Sequence, residues 1–241
     1  MGASISSGLI IQTKYTGRQL GSFNDQDVIL ADDMEGTLKW KVGDKALGTG
    51  TVTKATAECW NGSNALKILS GTNANNQEDA VRSFTLSPYG SGQYVVKMNL
   101  LFYSAESVKK TVQFDFILSN SQTYSTYSFK IVSDGAAKTD AKHFYYVDTG
   151  GNDVLIADIE CWNKYSDAPT SYAWYEIIFE LNNKTSRYVA LQFAGRRYLI
   201  DAPAFDGVTT VGHSIISIML KNVDVGITQS IYVDDVLITQ V

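Results

Sequence analysis

Hydrophobic and polar positions alternate with a period of two along most of this chain. In YVVKMNLLFY, the residues Tyr94, Val96, Met98, Leu100 and Phe102 share one face, and Val95, Lys97, Asn99, Leu101 and Tyr103 share the other. In TVQFDFILSN, Val112, Phe114, Phe116 and Leu118 oppose Gln113 and Asp115. In WYEIIFEL, Tyr175, Ile177, Phe179 and Leu181 form a core face, leaving Trp174, Glu176, Ile178 and Glu180 opposite. SIISIML and SIYVDDVLIT read as further strands. Alternation of this kind marks half-buried antiparallel strands. The runs are punctuated by the turn pairs Asn61-Gly62, Ser91-Gly92, Asp134-Gly135, Gly150-Gly151, Asn182-Asn183 and Asp206-Gly207. The pattern predicts about a dozen strands and no amphipathic helix. The expected fold is all-β: a two-sheet antiparallel β-sandwich of the jelly-roll kind. Residues 1–26 lack the alternation and read as an extended N-terminal arm; residues 27–241 form the sandwich domain.

Composition changes this picture little. With 44% hydrophobic and 19% charged residues, a packed core is expected and global disorder is excluded. The net charge of −5, with Arg196-Arg197 as an isolated basic pair, speaks against a nucleic-acid partner. No apolar run approaches the ~18 residues of a membrane-spanning helix. The first residues show no signal-peptide pattern. Met1-Gly2-Ala3-Ser4-Ile5-Ser6 fits a myristoylation pattern but reads as a flexible leader.

The tetrapeptide ECWN occurs twice, at Glu58–Asn61 and Glu160–Asn163, and holds both cysteines. The flanks differ, GSNALKI after one and KYSDAPT after the other, so the chain is not a duplication. Two cysteines without a CxxC, and two histidines (His143 and His213) without metal spacing, do not make a zinc site. Cys59 and Cys161 read as free buried thiols or as one disulfide, the first being favoured.

Three segments resemble a known family. Asp32-Asp33-Met34-Glu35-Gly36 precedes Leu38-Lys39-Trp40, Gly62-Ser63-Asn64-Ala65-Leu66-Lys67-Ile68 follows a turn, and Ile231-Tyr232-Val233-Asp234-Asp235-Val236 lies near the end. This order is similar to jelly-roll carbohydrate-binding modules and concanavalin A-like lectin and glucanase sandwiches, a fold also found in phage virion surface proteins. Met34 stands where that family usually has an aromatic residue. The resemblance implies that the first and last strands lie side by side. It also implies a structural calcium ion, with Asp33, Glu35, Asp234 and Asp235 as ligands; oxygen donors from several segments suit that cation.

The candidate chemistry is sparse. Laminarinase-type members of the fold carry three acids on one strand face as E-x-D-x-E. Here Glu176 and Glu180 flank Ile178, so the central acid is missing, and the retaining mechanism loses part of its tuning. Asp158 and Glu160 form a pair without a third acid. No catalytic residue is assigned. For glycan contact the candidates are Trp174, Glu176, Tyr124, Tyr127 and Trp162, because an aromatic ring stacks on a sugar face while a carboxylate accepts from hydroxyls. Trp60 belongs with them.

The expected function is a non-catalytic structural or accessory protein of a virus or phage particle, of capsid-decoration or spike type. It would be assembled in the host cytoplasm and placed at the virion surface. It would self-associate or dock on a shell protein through the arm, and its sandwich would bind a polysaccharide or cell-surface glycan. The alternatives are a carbohydrate-binding module of a secreted polysaccharide-degrading system, and a laminarinase- or lyase-type enzyme on the same fold.

Overall fold

The computed structural model describes residues 27–86, 92–102, 110–120, 123–133, 142–159, 174–208, 213–223, 226 and 228–241. The arm, Cys161 and Trp162 lie outside them. Sixteen strands run in chain order: β1 (Asp27–Asp32), β2 (Lys41–Val42), β3 (Thr51–Ala55), β4 (Ala65–Leu69), β5 (Gln77–Phe84), β6 (Gln93–Leu101), β7 (Lys110–Asn120), β8 (Thr123–Ser133), β9 (Lys142–Val147), β10 (Asp153–Ile159), β11 (Trp174–Asn182), β12 (Arg187–Phe193), β13 (Arg196–Pro203), β14 (Phe205–Val208), β15 (Ser214–Asn222) and β16 (Ser230–Gln240). No helix occurs among the described residues.

The strands form two eight-stranded antiparallel sheets. One sheet, here called sheet A, runs β13-β12-β11-β6-β16-β4-β3, with β1 also on β16; sheet B runs β10-β9-β8-β7-β15-β5-β2, with β14 on β8. The last two of the described strands are therefore internal, β16 lying beside β6 and β15 between β7 and β5. β4 pairs with the first part of β16 and β1 with the second. The break between them is a bulge at Asp234–Leu237, where Asp235 adopts φ 51°. A bulge kinks and twists a strand, which lets one strand serve two neighbours in succession.

The predicted core faces meet between the sheets. Tyr94, Val96, Met98, Leu100 and Phe102 from sheet A are buried, as are Val112, Phe114, Phe116 and Leu118 from sheet B. Phe179 of β11 crosses the gap to Phe114, Phe116 and Phe129, with ring centroids 4.7–5.1 Å apart. Tyrosines satisfy their hydroxyls at the margins of this cluster: Tyr127 donates to the Asn182 carbonyl (2.9 Å) and Tyr188 to that of Val147 (2.8 Å). Burial raises the pKa of both phenols, which stay protonated. At one end of the core the buried Arg82 of β5 is ion-paired with Asp32 of β1. The same carboxylate accepts from Trp40 Nε1 (3.2 Å) and from the Met34 N–H (3.1 Å).

Asp206-Gly207, expected as a turn, lies inside β14. A Cβ at residue 207 would collide with the Tyr124 ring of the neighbouring strand. The glycine is there for close approach of two strands, the other physical use of a missing side chain.

Candidate functional site

The three family-like segments converge on sheet A. β1 and β16 are paired, as the resemblance implies, from Asp27↔Gln240 to Asp32↔Val236. The four acids assigned to calcium are arranged otherwise than as one ligand set. Glu35 Oε1 accepts the N–H groups of Ser63 (2.6 Å) and Asn64 (2.8 Å), and its Oε2 accepts the Asn64 amide (2.9 Å). Asp234, fully buried, receives the N–H groups of Trp60 (2.9 Å) and Asn61 (3.1 Å) on Oδ2 and that of Asp235 (2.8 Å) on Oδ1. Asp33 accepts the Glu35 N–H (3.3 Å), and Asp235 the Asn99 amide (3.4 Å). Among the described residues no three His, Cys, Asp or Glu side chains gather into a metal-holding group. Two of these carboxylates, Glu35 and Asp234, bind the Trp60–Asn64 loop to the sheet directly.

Electrostatics differ at the two anchors. Burial works to raise the Glu35 carboxyl, but the Ser63 N–H and the amide groups of Asn64 outweigh it and hold the pKa below the usual range. At Asp234 burial dominates and pushes the pKa up to about 7, against the lowering effect of the N–H groups. A raised folded-state pKa means that the native protein holds this proton more tightly than the unfolded chain. The stability this contributes is complete below the ordinary aspartate range and lost as the pH rises through about 7. Asp234→Asn removes that titration. The wild type's advantage in melting temperature over the variant is therefore expected to be larger at pH 5 than at pH 8; an advantage independent of pH would contradict this account.

Of the glycan-contact candidates, Trp174 and Glu176 share the outer face of sheet A. Trp174 packs against the small cluster of Ala55, Ala65, Leu101 and Tyr232, and its ring lies 6.3 Å from that of Trp60. Glu176 is ion-paired with Lys97, and Glu180 with Arg197 (2.6 Å), the arginine holding the Glu180 carboxyl below its usual range. Tyr127 is a correction: it is wholly buried and points into the core, where no sugar reaches it. Tyr124 is half-buried against Phe205, with ring centroids 6.3 Å apart. Cys59 is a free, half-buried thiol whose pKa is raised, first by burial and then by Asp234 and Glu35.

The outer face of sheet B carries a groove absent from the sequence reading. Its volume is about 550 Å³, within the range of small-ligand sites. The register builds its floor in two rows, Ser83–Ile215–Ile117 and Lys41–Val81–Ser217–Asp115, each crossing adjacent strands. Lys45, from the turn after β2, reaches over the sheet to Asp115 (2.5 Å). Asp115 also accepts from Ser128 Oγ (2.5 Å) and Gln113 Nε2 (2.8 Å). Asp79 takes the Ser217 hydroxyl and a backbone N–H from Lys45; burial raises its pKa, with these bonds opposing. Both acids are only 2% exposed. Lys39, Lys41 and Asp44 are exposed along the wall. The groove thus offers an aliphatic floor, hydroxyls and a row of amines.

No protein-family model matches this chain, and no curated protein matches it. Solved structures do match in fold. A carbohydrate esterase from the Shiga toxin-encoding bacteriophage phi24B superposes with a TM-score of 0.57 at 11% identity, over 88% of this chain and 96% of that one. The CBM2 module of the evolved Dit of Lactobacillus casei BL23 phage J-1 gives 0.52 at 10% identity, over 89% and 96%. The cellulose induced protein Cip1 gives 0.52 at 15% identity, over 87% and 96%. At these identities the likeness establishes the two-sheet sandwich that these phage and carbohydrate-related proteins have in common.

Proposed function

We propose that this chain is a non-catalytic, glycan-binding sandwich protein of a phage particle surface, with the sheet B groove as its saccharide site. The groove is the observation that carries this reading. Val81, Ile117 and Ile215 can take the C–H face of a sugar ring, while Ser83, Ser217 and the lysine amines meet hydroxyls. Two of the similar structures named above are phage proteins, which favours a virion surface of decoration or spike type over a secreted module; attachment to a shell would fall to the arm. A non-catalytic role is supported by the acids. Glu176 and Glu180 are engaged by Lys97 and Arg197 on sheet A, and Asp79 and Asp115 are buried under their own hydrogen bonds.

Calorimetric titration with a panel of oligosaccharides tests the site. Binding is expected, and Ser83→Trp, which places an indole in the groove from an exposed position, should abolish it while shifting the melting temperature by no more than about 2 °C. Binding unchanged in this variant would remove the groove from the proposal. Release of new reducing ends from the same saccharides would remove its non-catalytic part.

A further inference from the structure

We infer that the groove selects carboxylated saccharides, of the uronate or sialate type, over neutral ones; this rests on the reading of the groove as a glycan site. Of the six charged side chains lining the groove, three are committed within the fold. Asp115 and Asp79 are 2% exposed and bonded to Ser128, Gln113, Ser217 and the Lys45 N–H. Lys45 is ion-paired with Asp115. A ligand therefore meets Lys39, Lys41 and Asp44, all exposed, beside the half-exposed Lys45 whose charge is already paired.

Neither Lys39 nor Lys41 has an ion-pair partner among the described residues. Both are exposed, and both line the groove. The register places Lys41 beside Val81, whose side chain faces the groove. The two lysines thus border an aliphatic floor on which a ring can rest.

A further fact favours an acidic ligand. The described lining residues include no aromatic ring, so stacking does not hold a neutral sugar here, and affinity falls to charge and hydrogen bonds. A carboxylate on the ring edge, above Val81 and Ile215, would lie toward Lys39 and Lys41. Ser217 Oγ donates to Asp79 and so presents its lone pairs to a sugar hydroxyl.

The experiment is titration of the full chain with three probes: tetragalacturonate, 3′-sialyllactose and neutral cellotetraose. At least one acidic probe should bind about tenfold or more tightly than cellotetraose, and the acidic probe that binds identifies the source of the carboxylate. The Lys39→Gln/Lys41→Gln double variant should lose about tenfold for that probe, while Lys184→Gln, in the exposed turn after β11, should not. Raising salt from about 0.05 to 0.5 M should weaken the wild type and leave the double variant less affected. Cellotetraose binding as tightly as the acidic probes, with Ser83→Trp abolishing it, would overturn the charge inference and keep the glycan groove. Acidic binding that survives the double variant would also overturn the inference. If no probe binds at all, the inference and the glycan reading of the groove fall together.

Discussion

Phe179→Ala is expected to destabilise the protein by about 3–5 kcal/mol and to lower its melting temperature by roughly 10–15 °C. Phe179 is 1% exposed and is the ring through which β11 of sheet A contacts three phenylalanines of sheet B. Those neighbours belong to β7 and β8, whose backbones are fixed by an eleven-pair register. The site therefore collapses poorly around a deletion, which places the cost toward the upper end for a large-to-small change. Thermal and urea denaturation check it; a loss below about 1 kcal/mol would mean that the rings repack freely.

Asp32→Ala is expected to cost about 3–5 kcal/mol, although Asp32 is not a core hydrophobe. Its carboxylate neutralises Arg82, whose side chain is 8% exposed. Burial already lowers the Arg82 pKa, so an uncompensated charge there is unfavourable. The substitution also strands the Trp40 indole N–H and the Met34 N–H. Asp32→Leu with Arg82→Met removes both charges and should recover most of the loss, because breaking a buried pair costs more than replacing it by apolar groups. A double variant as unstable as Asp32→Ala, measured by urea unfolding, would show that the energy lies elsewhere.

Much of the architecture was legible because a strand with one buried face must alternate. Tyr94 to Phe102, Val112 to Leu118 and Tyr175 to Leu181 could be assigned to their faces without any long-range information. The same rule, applied further, separates the two tyrosines of β8: positions 124 and 127 differ in parity, so one strand cannot present both outward, and Tyr127 falls with Phe129 and Ile131 in the core. The groove was less legible. Asp115 was visible as a polar residue between two phenylalanines, but its burial depends on Lys45, seventy positions away in sequence. The acids near β16 were legible as a cluster only. Whether such a cluster holds a cation or a loop depends on where backbone N–H groups point, and side-chain chemistry alone does not encode that.

The placement of β15 and β16 inside their sheets has a consequence for how the chain is made. Ribosomal synthesis delivers residues in order, so β6 and β7 emerge well before the strands that pair with them through Ser230–Gln240 and Ser214–Asn222. Until those residues appear, sheet A lacks the strand that joins β6 to β4 and β1, and sheet B lacks the one that joins β7 to β5. Loop closure over such separations is slow and leaves strand edges open to other chains. The sandwich thus closes only after Ser214–Gln240 has been made, and until then the nascent chain carries open strand edges that favour aggregation.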